Sequence, residues 1–91
     1  MGNRSRTEIV DSILNAAKGE GETKTKIMYT SFLSYNQLNE YLALLIENNL
    51  IEYLDGTKTY KTTEKGLQFL KMNNEIKKLL PQFLESKMMT N

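Results

Sequence analysis

The sequence predicts a mainly α-helical domain with one small β-hairpin. Three helical segments with apolar residues at helical spacing precede residue 50, and a run rich in β-branched and tyrosine residues follows between 51 and 62. A second long helical pattern then begins near residue 64. Ninety-one residues suffice for one domain with a modest core, a size at which oligomerisation often adds stability.

The first helix is predicted over residues 6–17. Ser5 followed by Glu8 forms a capping box, in which each side chain accepts a hydrogen bond from the other residue's backbone N–H. Ile9, Ile13 and Ala17 share one face of this helix. The glycine-rich segment 18–22 is predicted to be a loop.

Two further helices are predicted on either side of a tight turn. Thr23 caps a short helix over 24–31, the turn is 32–34 with Leu33 beneath it, and Ser34 with Gln37 forms a second capping box. The third helix then covers 35–48 and faces the core through Leu38, Leu42 and Leu45. Asn48-Asn49 closes it, because asparagine tolerates a left-handed backbone.

The hairpin is predicted to have arms 51–54 and 57–62, joined by a two-residue turn at Asp55-Gly56. Thr63 caps a fourth helix to residue 80, with Leu67 and Leu70 completing the core, and Pro81 should end or kink it. Helix, helix, helix, hairpin, long helix is the order of a winged helix-turn-helix. We therefore divide the chain into a winged helix-turn-helix domain, 4–63, and a C-terminal helix that forms a dimer interface, 64–91.

Composition excludes several functional classes. The chain has no cysteine and no histidine, which removes disulfides, zinc fingers, thiol nucleophiles and histidine bases, so we expect no metal site, cofactor or catalytic residue. No segment has the roughly 20 apolar residues of a membrane span, and the N-terminus lacks a secretory signal, which predicts a cytoplasmic protein without a membrane partner. The net charge is only +1, so a nucleic-acid-binding face depends on where the charges lie.

The exposed half of the third helix is the candidate DNA-reading surface, since the second helix of a helix-turn-helix presents its N-terminal residues to base edges. Basic residues precede the first helix, begin the second and lie on the hairpin, or wing. The predicted double-stranded-DNA contacts are Arg4, Arg6, Lys24, Lys26, Ser34, Tyr35, Asn36, Gln37, Asn39, Lys58, Thr59 and Lys61. The alternative is a protein-interaction module that uses the same helix and wing without binding DNA.

A second apolar stripe on the fourth helix predicts self-association. It recurs at spacings of three, four, three and four, the pattern of a coiled-coil seam. Its members are Phe69, Met72, Ile76, Leu79 and Phe83. Folding of the chain back over this stripe after Pro81 is the alternative to a homodimer.

The segment 24–51 resembles the signature of the archaeal 10a-type winged-helix DNA-binding proteins. The shared elements are Lys26, the Ile-Met-Tyr of 27–29, the Leu-Ser-Tyr of 33–35 and the Leu-Ile of 50–51, within a similarity covering about 4–80. The resemblance implies a dimer joined by an antiparallel coiled coil of the last helices. It also implies that 34–39 and 57–61 meet DNA, in a nucleoid-associated protein or, given the near-neutral charge, a transcriptional regulator.

Overall fold

The computed structural model describes the backbone of residues 4–89 and the side chains of residues 4–79. Six elements follow in order and agree with the predicted fold class. They are α1 (Arg6–Ala16), α2 (Lys24–Ser31), α3 (Tyr35–Glu47), β1 (Ile51–Leu54), β2 (Thr59–Thr62) and α4 (Glu64–Met89).

The helix starts are set by the predicted side chains. Ser5 with Glu8 and Ser34 with Gln37 both form complete capping boxes, and the Thr23 hydroxyl accepts a hydrogen bond from the Lys26 N–H. At the other end of α3, Asn49 has a φ of 63°, so the left-handed residue expected there is present. The short polar side chains thus delimit the helices as the sequence indicated.

The core is formed by one face from each of the first three helices, β1 and the start of α4. Its buried side chains include Leu33 beneath the turn and most of the predicted helix faces, with Ile9 only partly buried against the core. They are Ile13, Leu14, Ala17, Ile27, Leu33, Leu38, Leu42, Leu45, Ile51 and Leu70. Leu67, expected in the core, is instead 41% exposed. The buried face of α4 is formed by Gly66, Leu70 and Asn73, and Leu67 lies at the edge of this face.

The wing is an antiparallel pair in which Ile51 faces Thr62 and Leu54 faces Thr59. A two-residue turn at Asp55-Gly56 was the wrong prediction, since the connection covers 55–58 and the left-handed residue is Lys58, with a φ of 54°. The type I′ turn that favours Asp-Gly needs a positive φ at both central residues, and Gly56 does not have one.

The loop between α1 and α2 contributes a third strand-like segment to the wing. The backbone N–H and carbonyl of Glu22 both bond to Tyr60, each at 2.8 Å. Gly21 makes the approach possible with a φ of 102°. The glycines in 18–22 led us to expect only a loop.

The fourth helix packs closely on the domain through Gly66. A Cβ at this position would overlap the Leu50 carbonyl oxygen and lie 2.5 Å from the Thr62 methyl. The helix begins with the predicted cap, since the Thr63 hydroxyl accepts a hydrogen bond from the Gly66 N–H at 3.1 Å. This glycine therefore permits a backbone approach that no larger residue allows.

Two polar contacts fix α4 against α1. Asp11 accepts hydrogen bonds from the buried Asn73 amide at 3.0 Å and from the Lys77 ammonium at 3.2 Å. A helix end at residue 80 was the wrong prediction, because α4 continues through Pro81 to Met89. Proline removes one donor, leaving the Lys77 carbonyl without that intrahelical bond, but the neighbouring turns continue the helix.

Candidate nucleic-acid interface

The N-terminal half of α3, the second helix of the helix-turn-helix, contains the residues predicted to read DNA. The buried residues of α3 are Leu38, Leu42 and Leu45, all on one face. Tyr35, Asn36 and Gln37 are exposed, and Asn39 is half-buried. The sequence folds this way because Ser34 caps the helix immediately after the turn, and Leu38 then packs in the core while the first turn stays at the surface.

Two of the residues predicted to contact DNA, Ser34 and Gln37, form the capping box of α3. The Ser34 hydroxyl accepts from the Gln37 backbone N–H at 3.2 Å, and Gln37 Oε1 accepts from the Ser34 backbone N–H at 3.0 Å. Both residues thus shape the start of α3, and the exposed Gln37 keeps its Nε2 group as a donor. Asn36 has the more exposed position of the two asparagines predicted to contact DNA.

Lys24, Tyr35 and Asn39 form one cluster that joins the start of α2 to the start of α3. Lys24 Nζ donates to Asn39 Oδ1 at 2.7 Å and lies 5.1 Å from the centre of the Tyr35 ring. The Asn39 side chain, followed by the positive charge of Lys24, lowers the pKa of the Tyr35 phenol. The Lys24 ammonium is therefore held at the start of α3, where its positive charge stabilises a negatively charged group that approaches this surface.

The two arginines have more specific local partners than the sequence suggested. Arg4 Nη2 donates to the Ser31 carbonyl at 2.6 Å, at the C-terminal end of α2. Arg6 lines a shallow depression of about 270 Å³ with Glu40, Tyr41 and Leu44 of α3. Arg4 thus offsets the partial negative charge of a helix C-terminus, and Arg6 lies beside an acidic side chain.

The wing residues fall into two groups. Lys58 and Thr59 lie at the tip, where the Thr59 and Thr57 hydroxyls are 2.6 Å apart. Lys61 is opposite Glu52 in the hairpin register, in a second depression shared with Glu64 and Leu67. Lys58 is therefore at the free end of the wing, and Lys61 is on the side towards the start of α4.

The wing is connected to both ends of the helix-turn-helix. Only Asn48, Asn49 and Leu50 separate α3 from β1, so the hairpin leaves from the C-terminal end of α3. Its second strand is also bonded through Tyr60 to Glu22, two residues before Lys24 at the start of α2. The structure therefore brings Lys24, Tyr35 and Asn39 into contact, and the base of the wing is bonded to the segment that leads into this cluster.

The stripe on α4 is only partly as predicted. Phe69 is half-buried against the core of its own domain. Met72, Ile76 and Leu79 are 65%, 57% and 53% exposed, and they form the apolar stripe that the described side chains leave uncovered. The side chain of Phe83 lies outside the described residues.

Two exposed aromatic residues near the start of α3 were not among the predicted DNA contacts. Tyr29, in the last turn of α2, is 70% exposed, and Phe32, in the turn before α3, is 85% exposed. Phe32 also has a φ of 55°. Phenylalanine gives no sequence signal of a left-handed backbone, so only the structure reveals this position.

In the part of the chain that the structure describes, no helix combines the length and apolar character needed to cross a membrane.

Comparison with known proteins supports the fold. A family model described as winged helix-turn-helix matches residues 3–80. Two similar proteins from Methanocaldococcus jannaschii are the uncharacterized protein MJ0290, 34% identical over 77 residues, and the uncharacterized protein MJ0287, 32% identical over 63 residues. The matches cover 85% and 69% of this chain but only 36% and 63% of those proteins.

A solved structure has the same architecture. The crystal structure of Sso10a-2, a DNA-binding protein from Sulfolobus solfataricus, superposes with a TM-score of 0.78 at 24% identity and covers 96% of this chain and 93% of that one. The expected resemblance to 10a-type proteins is thus confirmed at the level of the fold. With a family model matched over 3–80 and the predicted helices and wing in place, the chain belongs to the winged helix-turn-helix family.

Proposed function

We propose that this protein binds double-stranded DNA, with the N-terminal half of α3 in the major groove and the wing on the flanking backbone. The observation that carries the proposal is the Lys24–Tyr35–Asn39 cluster at the exposed start of α3. The Lys24 ammonium can bind a DNA phosphate, and the start of α3 beside it carries side-chain amides that can contact base edges. DNA binding by Sso10a-2, whose fold is the same, agrees with this function.

Within this surface the residues have different roles. Asn36 and Gln37 are exposed on the first turn of α3 and carry amides that can read adenine. Lys24 and Lys26, at the start of α2, and Lys58, at the wing tip, are the proposed phosphate contacts. Such contacts would set the register of the protein on the duplex and supply affinity that does not depend on sequence. Arg6 has the acidic neighbour Glu40 and Lys61 lies opposite Glu52, whereas the partners of Lys24 are neutral and leave its charge unbalanced. We therefore place Arg6 and Lys61 at the edge of the interface, together with Arg4, whose guanidinium is bound to the Ser31 carbonyl.

We further propose that the functional unit is a homodimer formed by residues 64–91, and that the winged domain, 4–63, reads DNA. Met72, Ile76 and Leu79 are three large exposed apolar side chains on one stripe of α4. Burying each stabilises an interface by about 1.5–3 kcal/mol at most, which favours pairing with a second copy of α4. A dimer presents two α3 helices at a fixed separation, as a regulator of palindromic sites requires.

The test is a binding titration with mixed-sequence duplex DNA at two salt concentrations. Affinity for DNA should fall steeply as salt rises, because each lysine–phosphate contact releases counterions and contributes about 0.9 to the log–log slope. Lys24→Gln should flatten the slope by about 0.9 per protomer, whereas Lys78→Gln, an exposed lysine of α4, should not change it. No binding at low salt would leave the protein-interaction module as the function of this surface.

A further inference from the structure

The turn between α2 and α3 contains a side chain that contributes little to folding. Phe32 is 85% exposed, so it contributes little burial to the core. Its backbone has a φ of 55°, a left-handed conformation that disfavours residues with a Cβ and suits glycine. A large apolar residue that is both exposed and strained indicates a contact outside the domain.

The surroundings of Phe32 indicate what this contact is. Its N–H donates to the Tyr29 carbonyl at 3.3 Å, so two exposed aromatic residues belong to the same turn. Two residues later Ser34 begins α3, the helix proposed to enter the major groove. The Phe32 side chain is thus next to the helix end that is proposed to approach the base edges most closely.

The electrostatics of the turn are compatible with DNA. The C-terminal end of α2 has a partial negative charge that would repel phosphates. The Arg4 guanidinium binds its last carbonyl, that of Ser31, at 2.6 Å and offsets this charge. Lys24 is held over the ring of Tyr35, the first residue of α3. Ser31 and Tyr35, the residues on either side of the turn 32–34, are therefore each in contact with a cation.

We propose that Phe32 is a specificity-determining residue that packs against thymine methyl groups in the major groove. The proposal rests on the DNA binding proposed above. A benzyl side chain forms no hydrogen bonds, and the thymine C5-methyl is the apolar group that the base edges display in this groove. Tyr29, which is 70% exposed, adds a second exposed aromatic side chain to the same turn.

The experiment compares duplexes that contain thymine with the same sequences containing deoxyuridine, which lacks only the C5-methyl. The wild-type protein should bind thymine duplexes about fourfold more tightly for each methyl group buried. Phe32→Gly should bind both duplexes with equal affinity. Its Tm should equal or exceed that of the wild type, because glycine relieves the left-handed strain. Leu67→Ala, at an exposed apolar residue of α4, should keep the wild-type ratio.

The outcomes separate the two proposals. Failure of the wild type to bind any duplex would overturn the proposed function and this inference with it. Binding that is indifferent to the methyl group, or a ratio that Phe32→Gly leaves unchanged, would overturn only the role of Phe32. The same holds if Phe32→Gly alters the oligomeric state but not the ratio, because Phe32 would then face a second copy of the chain.

Discussion

Replacing Gly66 by alanine should destabilise the domain, although the residue lies in a helix. A Gly→Ala change in a helix is ordinarily stabilising by up to about 1 kcal/mol, because alanine has the better helix propensity. At Gly66 the added methyl would be 2.5 Å from the Thr62 methyl and still closer to the Leu50 carbonyl oxygen. Ordinary carbon–carbon contacts are about 3.5–4.0 Å, so α4 would have to move by roughly 1 Å.

The net effect follows from these two opposing quantities. Overpacking of this kind typically lowers the free energy of unfolding by about 1–3 kcal/mol, and the Leu50 backbone cannot rotate away as a side chain could. Because the overlap is with backbone, we expect a cost in the upper part of this range, about 2–3 kcal/mol. Subtracting a propensity gain of about 1 kcal/mol leaves a net loss of about 1–2 kcal/mol. For a domain of this size that corresponds to a fall in Tm of roughly 4–16 °C.

Thermal and urea unfolding followed by circular dichroism would measure this loss. Gly56→Ala is the matched control, because open space surrounds Gly56 and its φ is not positive. The control should keep or slightly raise the Tm. A Gly66→Ala protein as stable as the wild type would show that α4 does not pack this closely on Leu50.

Three other substitutions test separate parts of the molecule. Ile76→Glu places a charge in the proposed α4 interface, and sedimentation equilibrium should detect a folded monomer; a wild-type monomer at tens of micromolar would refute the dimer. Lys58→Glu should weaken duplex binding and flatten its salt slope by at least about 0.9, and an unchanged slope in the titration would remove the wing tip from the interface. Asp11→Ala leaves the buried Asn73 amide without its acceptor, so urea unfolding should report a loss of about 1–3 kcal/mol, and a loss below 0.5 kcal/mol (roughly the effect of a surface change) would contradict this role.

The fold could be predicted from short-range signals. Ser5, Thr23 and Ser34 set the starts of three helices through bonds to backbone groups three residues away, so local sequence was sufficient. The prediction of the wing turn was wrong because an Asp-Gly pair is compatible with more than one type of loop. The loop that forms depends on the strand register, in which Leu54 is paired with Thr59.

Contacts between distant residues could not be inferred in the same way. Asp11 and Asn73 are 62 residues apart, and the spacing of neither indicates a partner. The Lys24–Asn39 contact likewise depends on the angle between α2 and α3. The candidate site was therefore predicted as a set of exposed polar positions, but the structure was needed to identify which of them contact each other and that Phe32 is exposed beside them.

The bridge between Glu22 and Tyr60 ties the wing to the segment that leads into α2, so that the two should move together. Two backbone hydrogen bonds of 2.8 Å join these strands, and Thr23 and Lys24 follow Glu22 directly. Any tilt of the hairpin must therefore carry the Lys24 ammonium with it. In the proposed complex with DNA, phosphates bound at the wing and at the start of α3 would be held at a fixed separation. This favours duplexes whose backbones already have that separation over those that must be bent to fit.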